Sequence, residues 1–414
     1  MSSSCEVIST FEQLPDEILL LICRYLSSTE ILFSFTDLNN RLSQTISEFY
    51  RSVVLGEVPL ACFHFICSSI LPNIGVHTQS LVVSNDWKGV LSKLFVQYFH
   101  QKIASTFPQL KRLILPTFRL SSLMSFIDCL HDLPELFEIK VMSLYEMDNL
   151  SSESEVLLDR ILTANENRLT SIIFDDDCLV FFHQNTLEKK YFNIEKLVIE
   201  LRTLVDLDRI LTSLPNLQFF NVTVNEVFSI AQDVLTSTTN PNLKYFRLRS
   251  FVHDWNLDIL TCILKRTPNV EELVIEISTD DDIRLLDGKE MFSYLSSTSL
   301  TKFSYFLQFD NAPPVDQSSI LRNWQQVNQQ IICLRNDDET LILYTIPFNG
   351  SSFILQYSLA SLPTFVDHYS SQVRSLTLYD ISKRLAEIFP ILNKCRRLQR
   401  LILQIDEFLK PSKT

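Results

Sequence analysis

One pattern of apolar and polar positions returns along most of the chain: apolar-x-x-apolar-x-apolar, usually just after an Asn, Pro or Ser turn. It reads in FPQLKRLIL (107–115), LPELFEIKV (133–141), ENRLTSIIF (166–174), FNIEKLVIE (192–200) and LPNLQFFNV (214–222). It continues in NPNLKYFRL (240–248), TPNVEELVI (267–275), STSLTKFSY (297–305), SSQVRSLTL (370–378) and CRRLQRLIL (395–403). The spacing is uneven, mostly about 23 to 33 residues, and each copy predicts a short strand. Helical stripes lie between copies: Leu204, Leu207, Ile210, Leu211 and Leu214; Val227, Ile230, Ala231, Val234 and Leu235; Ile259, Leu260, Ile263 and Leu264. A strand alternating with a helix predicts an α/β solenoid in which each unit buries its apolar face against its neighbours.

The first fifty residues follow a different period. FEQLPDEILLLICRYLSSTEILFSFTDLNNRLSQTISEFY (11–50) reads as three short helices. Pro15 suits the first helical turn, and Asp16 and Glu17 favour the positive helix end. Ile18, Ile22 and Leu26 recur at four-residue spacing. Ser27 and Glu30 fit a capping box opening a second helix, with Ile31, Leu32 and Phe35 as its apolar residues. Asp37 can cap a third, striped by Leu38, Leu42, Ile46 and Phe49. A unit of about forty residues is too small to stand alone, so the rest of the chain or a partner must cover some of its apolar surface.

LPDEILLLICRYL followed by EILFSFTDLNNRL resembles the F-box, at Leu14, Pro15, Glu17, Ile18, Ile22, Leu26, Ile31, Leu32 and Arg41. Leu42 departs from that pattern: F-boxes often carry a Trp soon after the basic residue of the third helix. The later copies resemble degenerate leucine-rich repeats. Phe and Val replace many leucines, and the Asn or Cys that should follow each core is mostly missing, Asn85 and Asn225 being the candidate exceptions. The resemblance implies a substrate-recognition subunit of an SCF-type cullin–RING ubiquitin ligase. Residues 10–52 would bind a Skp-type adaptor, and the repeats an unidentified protein target. It implies adaptor contacts from Leu14, Pro15, Glu17, Ile18, Ile22, Leu26, Ile31, Leu32 and Leu42. Two other readings stand beside it: an interaction scaffold without a ligase role, and a plain helical cap on a repeat array.

The expected architecture is therefore a three-helix F-box (10–52), a leucine-rich-repeat-like solenoid (53–306), a loop and β-hairpin insertion (307–365), and C-terminal repeats (366–414). In the insertion, QQIICLR and TLILYTI flank the turn NDDE, and FILQYS adds another strand. Whether the insertion covers the repeat sheet or extends its edge is open at this level. So is whether Trp324 anchors it to the body or meets a target.

Composition narrows the function. The chain has 414 residues, 46% hydrophobic and 21% charged, with a net charge of -13. Such a chain folds, and it has no general attraction to nucleic acid or anionic membrane. Five scattered glycines exclude a Gly-rich phosphate loop. Nine cysteines without a Cys-x-x-Cys pair, and no signal peptide, predict reduced thiols in the cytoplasm or nucleus. The uncharged stretch Val58 to Asn85 is interrupted by Pro59 and Pro72 and reads as a buried helix and strand rather than a membrane span. Seven histidines fall in no metal-binding or catalytic spacing. No enzyme, cofactor or metal site is expected.

Acidic residues often follow the strand cores, notably Asp175, Asp176 and Asp177, then Asp280, Asp281 and Asp282, and Asp310. In a solenoid, strand ends share one rim, so these residues are candidates for an acidic rim that takes a basic target segment. Alternatively they cap the following helices and solvate turns.

Overall fold

The computed structural model describes residues 14–36, 38–56, 58–83, 90–116, 118–145, 152–177, 179–180, 189–227, 239–250, 252–295, 299–335, 340–346, 352–356, 375–379, 392–393 and 395–403. The fold is α/β with mostly parallel strands. Contacts divide the chain into two compact units, Met1–Arg202 with Ser213–Leu217, and Thr203–Thr212 with Gln218–Thr414.

The first unit opens with α1 (Asp16–Cys23), α2 (Ser28–Phe35) and α3 (Asn40–Thr45). Pro15 stands just before α1, where its carbonyl accepts the first helical bonds from Ile18 and Leu19. The capping box forms: the Glu30 amide donates to Ser27 Oγ at 3.2 Å and the Ser27 amide to Glu30 Oε2 at 2.7 Å. α3 is capped by Asn39, whose side chain accepts from the Leu42 amide at 2.8 Å. The other candidate cap, Asp37, lies outside the described residues.

Strands follow: β1 (Ser52–Leu55), β2 (Ser80–Val83), β3 (Arg112–Leu115), β4 (Phe118–Arg119), β5 (Glu138–Tyr145), β6 (Ser171–Asp177), β7 (Leu179–Val180) and β8 (Lys196–Thr203). β1, β2, β3, β5, β6 and β8 lie side by side in that order, all parallel. The repeat step varies from 25 residues (Ser171 to Lys196) to 33 (Glu138 to Ser171), taken between paired residues. One sheet face is fully buried: Leu55, Leu81, Leu113, Ile139, Ile172 and Leu197 are each 0% exposed. Phenylalanines do much of this packing. Phe95 contacts Phe99, Phe107 and Phe126 at ring separations of 4.7, 6.3 and 5.5 Å.

The stretch after β1 is helical from Leu60 to His77, with a widened turn at Ile66–Ile70. Pro72 supplies the reason, since its ring crowds the carbonyl four residues earlier and it has no N–H to donate. Phe63, Ile66, Cys67, Ile70, Leu71 and Ile74 are buried along it. By length and composition this stretch alone among the described helices could cross a membrane. Gly75 is required where it ends: a Cβ there would lie 2.5 Å from the Thr106 carbonyl oxygen.

In the second unit β9 (Phe219–Glu226), β10 (Tyr245–Arg249), β11 (Glu272–Thr279) and β12 (Lys302–Phe309) are parallel neighbours. β13 (Gln330–Arg335) and β14 (Leu341–Ile346) form the expected antiparallel hairpin, and β14 pairs antiparallel with β12. The insertion thus extends the sheet edge. β15 (Ser352–Gln356), β16 (Ser375–Tyr379) and β17 (Arg400–Leu403) make a separate parallel sheet, so the FILQ part of FILQYS joins the C-terminal strands rather than the insertion. Trp324 is 0% exposed on helix Gln317–Gln325 and donates from Nε1 to the Leu286 carbonyl at 2.8 Å. It anchors that helix to the body and offers no surface to a target. The stripe from Ile230 to Leu235, the NDDE turn and Asn85 lie outside the described residues. Helices at Leu204–Ser213 and Leu257–Lys265 match the other two stripes.

The repeats are joined by a recurring backbone device. At seven joints one carbonyl just before a strand accepts two successive amides from the next repeat. Gln79 receives Lys111 and Arg112, Lys111 receives Phe137 and Glu138, Phe137 receives Thr170 and Ser171, and Thr170 receives Glu195 and Lys196. In the second unit Gln218, Lys244 and Glu271 do the same for the repeats that follow. Asparagines ahead of the strands add to it. Asn193 donates to the Leu169 carbonyl (2.7 Å), Asn216 to Phe192 (2.7 Å) and Asn269 to Pro241 (2.9 Å). Asn225, a candidate for the missing post-strand Asn, is exposed instead.

Candidate functional site

α1 is apolar nearly all round, and the fold decides which side is core. Leu19 and Cys23 turn inward, each 2% exposed. Ile18 (42%), Leu21 (47%) and Tyr25 (85%) turn outward, with Ile22 half-buried beside them. The i, i+3, i+4 spacing puts Ile18, Leu21 and Ile22 on one outer flank of α1, and Tyr25 follows in the turn just past the helix end. On α2, Phe33 is 49% exposed and meets Phe65 edge-on at 5.7 Å. Leu38, ahead of α3, is 56% exposed. Exposed apolar residues in such density make these helices the candidate contact surface.

The residues proposed for adaptor contact divide accordingly. Pro15, Glu17 and Ile18 are exposed, and Leu14, Ile22 and Leu26 are half-buried. Ile31, Leu32 and Leu42 are buried at 1%, 0% and 1%. These three pack the inside of the helical unit, so the structure gives them a place in the core and none at a surface. Leu21, Tyr25 and Phe33 fall outside the sequence stripes, and Leu38, counted in the stripe of the third helix, lies exposed ahead of α3. The signal for Leu21 and Tyr25 was their i, i+3 and i+7 relation to Ile18.

Arg41 acts within the fold. Its guanidinium donates to Asp16 Oδ1 at 2.7 and 3.0 Å and to the Leu14 carbonyl, tying α3 to the start of α1. Ser28 Oγ reaches the Ser52 carbonyl at 3.3 Å, joining α2 to β1. The three helices therefore belong to the same compact unit as the first repeats.

The acidic residues take several roles. Asp175 is half-buried at the end of β6, and the side chains of Asp176 and Asp177 lie outside the described residues. Asp280 and Asp281 are exposed just past β11. Asp282 caps the turn Ile283–Leu286, accepts from the Leu257 amide at 2.8 Å and pairs with Arg284 at 2.7 Å. Burial alone would raise its carboxyl, but hydrogen bonds from Arg284 and the Leu257 amide hold it below the ordinary carboxylate range. Asp310 pairs with His253 at 3.0 Å and accepts from Thr340 at 3.1 Å. Asp282 and Asp310 are thus committed to bonds within the chain, leaving Asp280 and Asp281 facing solvent at that end of the sheet.

Among the described residues no group of three or more His, Cys, Asp and Glu side chains could hold a metal ion. His100 Nδ1 lies 2.8 Å from Cys129 Sγ, a pair that could suggest a nucleophile. Burial, with Asp128 adding to it, pushes that thiol up to about 11, the wrong direction for a thiolate. An open groove of about 380 Å³ in the second unit is floored by Ile283, Leu286, Val315 and Ile320. Two of its carboxylates are spent as helix caps: Asp287 accepts from the Lys289 amide and Asp316 from the Ser318 amide.

No family model and no curated protein matches the chain.

Proposed function

We propose that the chain is a substrate-recognition subunit of an SCF-type ubiquitin ligase. The N-terminal helices bind a Skp-type adaptor, and the repeats hold a protein target. It performs no bond chemistry itself. It raises the effective concentration of target lysines near a charged conjugating enzyme. The observation that carries this reading is the outer apolar group Ile18, Leu21, Ile22 and Tyr25, on a segment whose residues resemble the F-box. A second reading, an interaction scaffold without a ligase role, is favoured by Leu42: where the family often has Trp, this residue is buried and adds no contact area.

The test is a pull-down with purified Skp-type adaptor. Pro15 is a poor mutation site, because it stands at the start of α1 and its carbonyl accepts the first helical bonds. The triple variant Ile18→Ala/Leu21→Ala/Tyr25→Ala changes exposed side chains. Each contributes roughly 1 kcal/mol when half its surface is newly covered, so the triple variant should bind about a hundredfold more weakly. Binding unaffected by the triple change, or absent from the native chain at micromolar adaptor, removes the ligase reading. Adaptor binding without cullin-dependent ubiquitylation of a bound protein selects the scaffold.

A further inference from the structure

The second face of the sheet in the first unit is partly exposed, and its register stacks side chains into rows. The first row is Ser52, Ser80, Arg112, Glu138, Ser171 and Lys196. The next is Val54, Val82, Ile114, Lys140, Ile173 and Val198. The first row is internally satisfied: Glu138 accepts from Ser171 Oγ at 3.0 Å and lies 3.6 Å from Arg112 and 3.7 Å from Lys196. The second row is apolar except for Lys140. Val54 is 40% exposed and the rest are half-buried, whereas the opposite face is sealed.

Lys140 has no hydrogen bond or ion pair among the described residues. Its ammonium stands in an apolar row, flanked by Ile114 and Ile173 on the neighbouring strands. A cation in that setting gains more from an incoming carboxylate than one ringed by water, because covering the row lowers the local dielectric. The two rows together carry Arg112, Lys140 and Lys196 against one carboxylate, Glu138, in a chain of net charge -13. Asp175 and Glu200 follow two residues further along β6 and β8, on the same face, so the positive end of this face lies toward the strand starts.

We propose that this face receives an extended acidic–apolar peptide segment of a protein target, lying across the strands. A carboxylate of the segment meets Lys140, and its apolar side chains rest on Val82, Ile114, Ile173 and Val198. The proposal rests on the receptor reading and names the chemistry of what is received. Five interstrand steps of about 4.8 Å span about 24 Å, which an extended segment of about seven or eight residues crosses.

The test selects a phage-displayed random library of peptides of about twelve residues, long enough for that span, on the full chain. Enriched peptides should combine Asp or Glu with aliphatic residues. The synthetic form of one of them should bind Lys140→Glu at least about tenfold more weakly, the scale of one lost charge-assisted contact. Replacing its acidic residues by Lys should restore binding to Lys140→Glu. Lys140→Met, which keeps the bulk, should weaken binding less than Lys140→Glu. Circular dichroism checks both folds, and Lys289→Glu in the other unit should leave binding unchanged. Neutral or basic enriched peptides, no enrichment, or indifference to Lys140→Glu each overturn the proposal. Adaptor pull-down on the same preparations separates the two readings. Lost adaptor binding with Lys140-dependent peptide binding defeats the ligase reading alone. The converse defeats this inference alone.

Discussion

Gly288 and Trp324 offer a sharp test of packing in the second unit. Gly288 opens the helix Gly288–Leu295, and a Cβ on it would lie 2.8 Å from Trp324 Cδ2, 2.9 Å from Cγ and 3.0 Å from Cα. The indole cannot step aside. Its Nε1 is bound to the Leu286 carbonyl, Tyr305 stacks on it at 5.4 Å, and Phe292 meets it edge-on at 6.1 Å. Tyr305 is itself fixed by its hydroxyl on the Leu285 carbonyl at 3.0 Å. Gly288→Ala therefore sets two effects against each other. Helix propensity favours alanine by at most about 1 kcal/mol. Overpacking against a pinned ring costs about 1–3 kcal/mol. The collision should win, leaving a net loss of about 1–2 kcal/mol. In a Trp324→Leu background, itself destabilised by a few kcal/mol, the space is free and the same glycine change should become neutral or slightly stabilising. The two changes should thus couple by about 1–3 kcal/mol. Urea unfolding followed by far-ultraviolet circular dichroism measures all four corners of the cycle. An equal effect of Gly288→Ala in both backgrounds, or none in the native one, would refute the reasoning.

Two further outcomes are expected. Asn165 is 2% exposed with φ 51°, accepts from the Leu133 amide at 3.0 Å and donates to the Leu133 and Leu136 carbonyls at 2.7 and 3.2 Å. Asn165→Ala strains the left-handed backbone and removes three buried hydrogen bonds, so it should cost about 2–4 kcal/mol and speed amide exchange at Leu133; a loss below about 1 kcal/mol would contradict this. Because the folded-state pKa of Asp282 is depressed, its stabilisation is complete above the ordinary carboxylate pKa of about 4 and is lost as pH falls through the lower folded value. Asp282→Asn should flatten the acid limb of stability between about pH 5 and pH 2, and parallel acid limbs in parent and variant would exclude the linkage.

The strands were legible because their signal is local. All ten apolar-x-x-apolar-x-apolar segments end in strands, from Arg112–Leu115 to Arg400–Leu403. The capping box at Ser27 and Glu30 was legible for the same reason: both partners sit three residues apart. Surfaces were harder. In α1 the residues Ile18 to Ile22 are all apolar, so periodicity cannot say which flank faces inward; that is settled by Leu19 and Cys23, at 2% exposure each. Ile31, Leu32 and Leu42 were placed at a surface for want of that information. The row holding Lys140 could not be read either, because it exists only once the register of six strands is fixed. Strands β1, β2, β4 and β7 lie outside the repeat pattern, although the uncharged stretch Val58 to Asn85 predicted a buried strand where β2 forms. SVVL and SLVV are too short and uniform to show alternation.

The degeneracy of the repeats has a physical reason as well. A regular solenoid that relies on a post-strand Asn ladder must keep that side chain in every turn. Here the joint is made mostly by backbone: one carbonyl ahead of the strand takes two amides from the next repeat, at Gln79, Lys111, Phe137 and Thr170 alike. Those four side chains share no chemistry, and the bond needs none from them. Asparagines such as Asn193, Asn216 and Asn269 reinforce some joints and are dispensable at others. With register held by the main chain, the core positions need little beyond apolar bulk, which Phe and Val supply as well as Leu. Intervening segments can then differ by eight residues, 25 against 33, without breaking the sheet. Such a scaffold leaves the side chains of the partly exposed face free to vary, and it is on that face that Lys140 stands apart from its row.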